Sequence, residues 1–200
     1  MADGLPAQSA LAHRRLAARA AEPPAGAGVR LTEIPFRTCL NLRAEATPEF
    51  RTILAQAARC GLPVQALEAA KRGSATVLWL GPDEWLLAKD GDDAKLAARL
   101  DTAFRGHFVT VTEVSDAYAV IRLAGPAATD VLAKGCPLDT HDRVFPPGKV
   151  ARSLLAKADV ILHRLAPDTF ELYVARSYAD YLWRWLEDAG AEYGVAVVGA

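Results

Sequence analysis

The sequence predicts an α+β fold in which two pseudo-repeated β-α-β-β-α-β (ferredoxin-like) halves pack together. Strand and helix patterns occur in this order twice along the chain. A shift that lays residues 80–85 (LGPDEW) on residues 165–170 (LAPDTF) also lays residues 110–112 on residues 195–197. Each half makes an antiparallel sheet with helices on one face, so the other face needs cover. We therefore expect one body in which the two halves cover each other.

The first half is predicted over residues 29–115. A strand at residues 36–43 leads to Thr47-Pro48-Glu49, which combines a helix cap, a proline in the first turn and a first-turn acid. This helix is expected to end at Gly61. Further strands are predicted at residues 75–80, 83–89 and 108–114, and a further helix at residues 96–104. Gly81-Pro82 predicts a tight connection between the first two of these strands.

The second half, residues 116–200, repeats this order with one additional strand. Its first helix begins at Gly125-Pro126 and ends at Gly135. A second helix is predicted over residues 177–193, with Ser177 and Asp180 securing its start. The predicted strands are residues 118–124, 149–157, 159–165, 169–174 and 195–198.

Residues 1–28 read as an N-terminal arm and linker. An Ala/Arg-rich stretch is followed by Pro23-Pro24 and by Gly26-Ala27-Gly28, which cannot continue a helix. An arm without a core of its own is typical of a segment that docks on a partner. We therefore expect Leu11 and Arg15 to lie at a partner interface.

The composition of the chain argues against several classes of function. With 52% hydrophobic and 24% charged residues, the chain is expected to fold. Its 23 Lys plus Arg against 24 Asp plus Glu leave a net charge of −1 without a basic run, which argues against binding to nucleic acid or to an anionic membrane. It has no apolar run of about 20 residues and no signal-peptide pattern. We expect a cytoplasmic protein.

Reactive groups form no recognisable catalytic or metal-binding motif. The four histidines lack the spacing of a helical zinc site, and the three cysteines form no CxxC pair. Cys136 follows a predicted helix end, where the partial negative charge opposes a thiolate, so a buried structural role is preferred. Asp83 and Glu84 are adjacent on a strand and point to opposite faces. We predict neither a catalytic residue nor a metal site.

Asp116 and Arg122 are the candidate ligand residues. They flank the middle of the chain, where the two predicted halves meet, and ligand sites favour such junctions. The alternative, which we prefer, is that they are an ordinary cap and an ordinary surface charge.

Trp183 is the candidate partner anchor in the last helix. At 100° per residue, one stripe forms the expected core face, and Trp183 lies off its centre. Two interpretations remain open: a tryptophan on the rim of its own fold, or an anchor for a partner protein. The expected core stripe contains Tyr178, Tyr181, Leu182, Trp185, Leu186 and Ala189.

Several segments resemble a known family. Residues 114–126 (VSDAYAVIRLAGP) resemble the central strand-to-helix segment of the aminomethyltransferase superfamily, the folate-binding modules of the glycine cleavage T-protein. Other segments resemble, more narrowly, the gamma subunits of bacterial heterotetrameric sarcosine oxidases. These are residues 134–139 (KGCPLD), 145–148 (FPPG), 155–160 (LAKADV) and 181–187 (YLWRWLE). The likeness covers about residues 30–198, and residues 5–19 are similar to that subunit's N-terminal extension.

The resemblance implies a small structural subunit that performs no redox step itself. In that family the alpha and beta subunits hold FAD, FMN, NAD and the tetrahydrofolate site. The complex oxidises sarcosine to glycine with oxygen, forms hydrogen peroxide and passes the methyl carbon to tetrahydrofolate. The implied partners are the alpha subunit and the wider alpha-beta-gamma-delta complex, and this chain is expected to bind no cofactor.

The sequence departs from the active folate transferases. The catalytic aspartate and the surrounding folate-binding positions of the T-protein have no match here. Related folate-dependent iron–sulfur maintenance proteins carry Lys-Gly-Cys-Tyr followed by Gly-Gln-Glu, whereas residues 134–136 match only the beginning and Pro137 replaces the Tyr. Two alternatives stay open: a stand-alone folate-binding C1-transfer protein, and an interaction module outside C1 metabolism.

Overall fold

The computed structural model describes residues 7–20 and 26–199. Its helices are α1 (Leu16–Arg19), α2 (Pro48–Ala57), α3 (Leu96–Ala103), α4 (Ala128–Ala133) and α5 (Ala179–Gly190). Short 3-10 helices lie at Ala12–Arg14, Ser115–Ala117, Arg176–Tyr178 and Ala191–Tyr193. The strands are β1 (Val29–Ile34), β2 (Thr38–Arg43), β3 (Ala69–Arg72), β4 (Ala75–Gly81), β5 (Glu84–Lys89), β6 (Thr110–Glu113), β7 (Tyr118–Ala124), β8 (Val150–Leu155), β9 (Ala158–Ala166), β10 (Thr169–Ala175) and β11 (Val195–Val197).

The strands form two sheets, so the predicted α+β class with two sheets is confirmed. The five-stranded sheet has the order β3-β4-β5-β2-β6, and all its neighbours are antiparallel. The six-stranded sheet has the order β11-β1-β7-β10-β9-β8, in which β1 and β11 pair in parallel. The remaining pairs of this sheet are antiparallel.

The sheets pack face to face, with helices on their outer faces. Strand β5 shows why: Trp85 and Leu87 point to the core shared with α2 and α3, whereas Leu86 and Ala88 point to the other sheet. On the six-stranded side, α4 and α5 cover the outer face. We call the layer between the sheets the seam. Its buried residues are Cys39, Leu78, Leu80, Leu86 and Ala88 from one sheet and Val120, Val150, Ile161 and Tyr173 from the other.

Local signals placed several elements correctly. Helix α2 begins after Thr47, whose Oγ1 accepts a hydrogen bond from the backbone N–H of Phe50 at 3.1 Å, as the cap prediction requires. Strands β4 and β5 pair antiparallel across the predicted Gly81-Pro82 connection. The five strands predicted in the second half are present as β7 to β11, but the prediction that this half has one strand more than the first is wrong, because residues 35–115 also hold five strands, β2 to β6.

The predicted boundary that assigns residues 29–115 to the first half is wrong at its start. Strand β1 lies in the six-stranded sheet, between β11 and β7. The backbone just before β1 passes very close to Gly125. A Cβ on Gly125 would lie 2.4 Å from the carbonyl oxygen of Gly28. Gly125 also has a φ of +118°, which favours glycine. Periodicity cannot reveal such a distant pairing, and it also missed the short, polar strand β3.

The start of the last helix differs from the prediction. Ser177 lies in a 3-10 turn, helix α5 begins at Ala179, and no side chain caps its first turn. The carboxylate of Asp180 instead contacts the N-terminal arm. The predicted linker residues 22–25 lie outside the described residues.

Candidate functional site

The N-terminal arm, residues 7–20, packs on the six-stranded half of its own chain. The Leu11 side chain is fully buried in the core beneath α5. Ser9 Oγ and the backbone N–H of Leu11 donate hydrogen bonds to the two carboxylate oxygens of Glu33, at 2.9 and 3.0 Å. The prediction that Leu11 contacts a partner is therefore wrong, because its own core buries it. Arg15 is exposed, and its place at an interface stays a prediction.

Charged pairs fasten the arm to helix α5. Arg14 Nε donates to Asp180 Oδ1 at 2.6 Å, and His13 Nε2 lies 2.7 Å from the same oxygen. Arg14 and Arg19 also pair with Glu187, which lies about two helical turns further along the same face of α5. The hydrogen bonds from Arg14 and His13 lower the pKa of Asp180 to about 2. The acids of α5 thus serve as the docking surface of the arm.

Trp183 lies in the core, so the prediction that it anchors a partner from the surface is wrong. Its side chain is 0% exposed and packs in the cluster that includes Leu11. The buried face of α5 is rotated from the predicted stripe, since Tyr178 and Tyr181 are 47% and 36% exposed. The arm explains the rotation, because it adds apolar cover on the flank of α5 that carries Trp183.

A buried ion-pair network crosses the seam. Arg37, from the turn before β2, donates from NH2 to Glu171 Oε1 at 3.0 Å and from NH1 to Tyr173 Oη at 2.7 Å. Arg37 NH1 also bonds the second oxygen of Glu171. Arg122 NH2 donates to Glu171 Oε1 at 2.7 Å, and Arg37 NH2 donates to Asp90 at 2.7 Å. The network therefore ties the five-stranded sheet to β7 and β10.

The same network sets the protonation of Glu171. Burial alone would raise its pKa, but hydrogen bonds and charges from Arg37 and Arg122 outweigh burial and lower it to about 2. His163 faces Glu171 across β9 and β10, and burial lowers the pKa of its imidazole to about 4. At neutral pH, Glu171 is thus ionised and His163 is neutral.

A second charged contact joins the sheets at Glu84. Arg152 NH2 donates to Glu84 Oε1 at 2.7 Å, and Asn41 Nδ2 donates to the same oxygen at 2.9 Å. Nearby, Glu68 and Lys149 form an antiparallel backbone bridge that connects the β3 side of one sheet to the β8 side of the other. At both contacts, Glu84 with Arg152 and Glu68 with Lys149, polar groups join the two sheets.

Asp116 and Arg122 do not form the predicted ligand site. A cavity of about 420 Å³ lies between the arm, the β1–β2 turn and the 3-10 turn Ser115–Ala117. Asp116 lines this cavity, whereas Arg122 does not and its guanidinium is bound by Glu171. The two candidate ligand residues are therefore not brought together in one site, because Arg122 belongs to the seam network.

Among the described residues, no group of three or more His, Cys, Asp or Glu side chains is arranged to hold a metal ion. Burial raises the pKa of the Cys39 thiol to about 12 and also raises that of Cys60. Both thiols therefore stay protonated at neutral pH. Cys136 is partly buried, with its Sγ 3.5 Å from Ser153 Oγ.

Sequence reasoning missed the seam network, although the sequence carries a signal for it. Glu171 interrupts the apolar strand TFELYVA, and Arg122 interrupts YAVIRLA. A charge inside an otherwise apolar strand requires a buried partner of opposite charge. Arg37 gives no comparable signal, because it lies in a turn.

None of the described helices has the length and apolar character needed to span a membrane.

Comparisons with known proteins agree with this architecture. The sequence profile of the sarcosine oxidase, gamma subunit family matches residues 43–192. Sarcosine oxidase subunit gamma from Corynebacterium sp. (strain U-96) is 37% identical over 192 residues, covering 96% of this chain and 93% of that protein.

Two solved structures are similar in fold. A chain of the heterotetrameric sarcosine oxidase from Corynebacterium sp. U-96, in complex with pyrrole 2-carboxylate, superposes with a TM-score of 0.85 at 36% identity, covering 94% of this chain and 96% of that one. The glycine cleavage system aminomethyltransferase T from Bartonella henselae superposes with a TM-score of 0.64 at 18% identity, covering 86% and 48% respectively, which is a likeness of fold. Because the profile spans most of the sequence and the Corynebacterium relative is matched over nearly its whole length, this chain belongs to the sarcosine oxidase gamma subunit family.

Proposed function

We propose that the chain is a small, non-catalytic structural subunit of a sarcosine oxidase complex. The observation that carries the proposal is the likeness, over 94% of this chain and 96% of the other, to a chain of a heterotetrameric sarcosine oxidase. The complex oxidatively demethylates sarcosine to glycine, transfers the C1 unit to tetrahydrofolate and forms hydrogen peroxide. In this proposal the chain contacts the alpha subunit within the alpha-beta-gamma-delta complex, and the assembly is cytoplasmic.

The geometry of the seam supports a structural role. Arg122, the cation considered for a ligand, is bound by Glu171, and Glu84 is bound by Arg152. These groups stabilise the contact between the sheets. We infer that FAD, FMN, NAD and tetrahydrofolate are bound by the partner subunits, and that the exposed Arg15 of the arm faces one of them.

Co-purification tests the proposal. A tagged chain expressed with the larger subunits of its source organism should elute with flavin-containing polypeptides and with sarcosine-dependent peroxide formation. Elution of the chain alone at native concentrations would contradict it. Within the complex, Cys136→Ala and Asp116→Asn should leave turnover unchanged, because neither residue takes part in the reaction. A large loss of turnover with normal assembly would show that the subunit is catalytic.

The cavity beside Asp116 favours a second candidate, a stand-alone folate-binding C1-transfer protein. Ligand sites prefer clefts between structural units, and the fold is shared with an aminomethyltransferase. Titration of the isolated chain with tetrahydrofolate separates the two functions. Saturable binding that Asp116→Asn weakens would favour the second candidate, and its absence would favour the structural subunit.

We further propose that the two halves are copies of one unit, which is the predicted ferredoxin-like β-α-β-β-α-β unit with one more strand after its first helix. The strand orders support this: β3-β4-β5-β2-β6 in one sheet corresponds to β8-β9-β10-β7-β11 in the other, except that β1 is inserted between β7 and β11. On this basis residues 35–115 and 116–200 are the two units, with β1 added to the second. Superposition of the units in an experimental structure tests the proposal, and a mismatch in helix placement would refute it.

A further inference from the structure

A basic groove lies on the helix-covered side of the five-stranded sheet, away from the seam. It has a volume of about 1250 Å³ and is bordered by the end of α2, the β3–β4 turn, the end of β5 and helix α3. Five cations line it: Arg59, Arg72, Lys89, Lys95 and Arg99. Asp93 is the single acid among its lining residues. The chain as a whole has a net charge of −1, so the groove departs strongly from the average surface.

Three of these cations are available to a partner. Asp93 accepts hydrogen bonds from Lys89 and Arg99, which are therefore engaged within the chain. Arg59, Arg72 and Lys95 are exposed and form no salt bridge with any of the described residues. Unpaired like charges in one groove repel each other, and a bound anion would relieve that repulsion.

This cluster of cations is not apparent in the sequence. The cations come from four separate segments and form no basic run, which is why the composition alone indicated no clustered basic surface. The fold brings the segments together, since α2 and α3 lie side by side over the strands that end at Arg72 and Lys89. The absence of a basic run in the sequence therefore does not exclude a basic surface on the folded chain.

We propose that this basic groove binds an acidic segment of a partner polypeptide. The inference rests on the proposed function, in which the chain is one subunit of a larger assembly, and names the surface that recognises another subunit. Small side chains form much of the lining, namely Ala55, Ala57, Ala58, Gly73, Ser74, Ala75 and Ala98. They leave space for a polypeptide backbone, while the surrounding cations match its carboxylates.

The lining favours a polypeptide over a nucleic acid. No aromatic side chain lines the groove, so bases have no surface on which to stack. The overall negative charge of the chain also disfavours a long polyanion, which would extend beyond the groove. A short acidic segment contacts only the groove, so its carboxylates do not extend over the surface outside it.

The test reverses the three free charges within the complex. Arg59→Glu/Arg72→Glu/Lys95→Glu is compared with Arg30→Glu/Arg143→Glu/Lys157→Glu, which makes the same change in net charge at exposed cations outside the groove. At low ionic strength, the groove variant should associate with the larger subunits at least about tenfold more slowly than the wild type, and this difference should shrink as salt is added. The control variant should associate like the wild type.

Equal association of both variants with the larger subunits would overturn the proposal and leave the proposed function intact. If the reversed variant misfolds by circular dichroism, Arg59→Gln/Arg72→Gln/Lys95→Gln replaces it, with the same expected direction. If the wild-type chain fails to assemble at all, the proposed function fails. The binding of an acidic peptide to the groove is then measured on the isolated chain.

For that purpose, a labelled peptide of alternating Glu and Ala is titrated onto the isolated chain at low salt, beside a Lys-Ala peptide and a single-stranded oligothymidylate. The proposal expects binding of the acidic peptide, weakened at least about tenfold by the groove variant and unchanged in the control. Absence of binding, equal binding by the groove variant, or tighter groove-dependent binding of the oligonucleotide would each refute it.

Discussion

Arg37 and Glu171 lie 134 positions apart in the sequence and form a two-point ion pair inside the seam. Arg37 comes from the turn before β2, and Glu171 lies in the middle of β10. Both side chains are almost completely buried. The pair therefore couples the two sheets at a point where water cannot replace either partner.

Glu171→Gln should destabilise the chain by about 3–5 kcal/mol, because it removes the buried counter-charge of Arg37 and leaves only Asp90, which is half-exposed. Arg37→Met/Glu171→Met should cost clearly less than the sum of the two single changes. Urea unfolding of the wild type, Arg37→Met, Glu171→Met and the double variant measures the coupling. Additive effects would show that the ion pair contributes little, and Arg105→Met, at an exposed position, provides the neutral reference.

Acid should destabilise the chain before the carboxylates titrate, because of His163. Its pKa is about 4 when folded and 6.5 when unfolded, so the unfolded state takes up the proton first as pH falls. Stability is fully present above pH 6.5 and declines by roughly 3 kcal/mol between pH 6.5 and pH 4. His163→Gln should flatten this part of the curve of unfolding free energy against pH. An unchanged slope in the variant would contradict the assignment.

Loss of Glu171 ionisation should follow at lower pH. The pKa of Glu171 is lowered from 4.5 to about 2, so its contribution is present above pH 4.5 and is lost as pH falls towards 2. Glu171→Gln should lack this second decline, whereas His163→Gln should keep it. Unfolding curves of both variants between pH 5 and pH 2 distinguish the two groups.

Release of the arm should be measurable by proteolysis. Leu11→Ala removes a buried anchor and should cost about 2–5 kcal/mol of arm docking or global stability. Asp180→Asn weakens the contacts of His13 and Arg14 with α5. Both variants should be cleaved by trypsin after Arg14 several-fold faster than the wild type. Glu49→Gln, an exposed acid on α2, should not change the rate, and equal cleavage of all forms would mean that the arm is not held by these contacts.

Trp183→Ala should destabilise the isolated chain by about 3–5 kcal/mol, because the side chain is fully buried. Phe108→Ala should change stability little, since Phe108 is 100% exposed. Thermal unfolding of the two variants gives the comparison. A stable Trp183→Ala variant with impaired assembly would restore the interface interpretation.

Much of the local structure was predictable. The cap at Thr47 and the turn at Gly81-Pro82 depend on neighbouring residues, and both were placed correctly. The face-to-face arrangement of the sheets also followed, because strands with two apolar faces need cover on both. Strand β3 was missed since AAKR has little β propensity and owes its state to its pairing with β4.

The functional surfaces were predicted less well. Helical periodicity puts Trp183 off the core face and leaves both a rim position and a partner anchor open, because the periodicity does not include the arm, which covers that flank of α5. Arg122 was considered a ligand residue because its partner, Glu171, lies far away in sequence. The basic groove was missed for the same reason, as its cations come from separate segments.

The amino-acid order by itself determined the α+β class and most helices and strands, because these depend on spacing and on neighbouring residues. It also carried the segments that resemble the gamma subunit family. The tertiary structure alone decided where β1 pairs, where the arm docks, which charges are buried together and which remain free. Those outcomes depend on distances between segments remote in sequence, and such distances are established only when the whole chain folds.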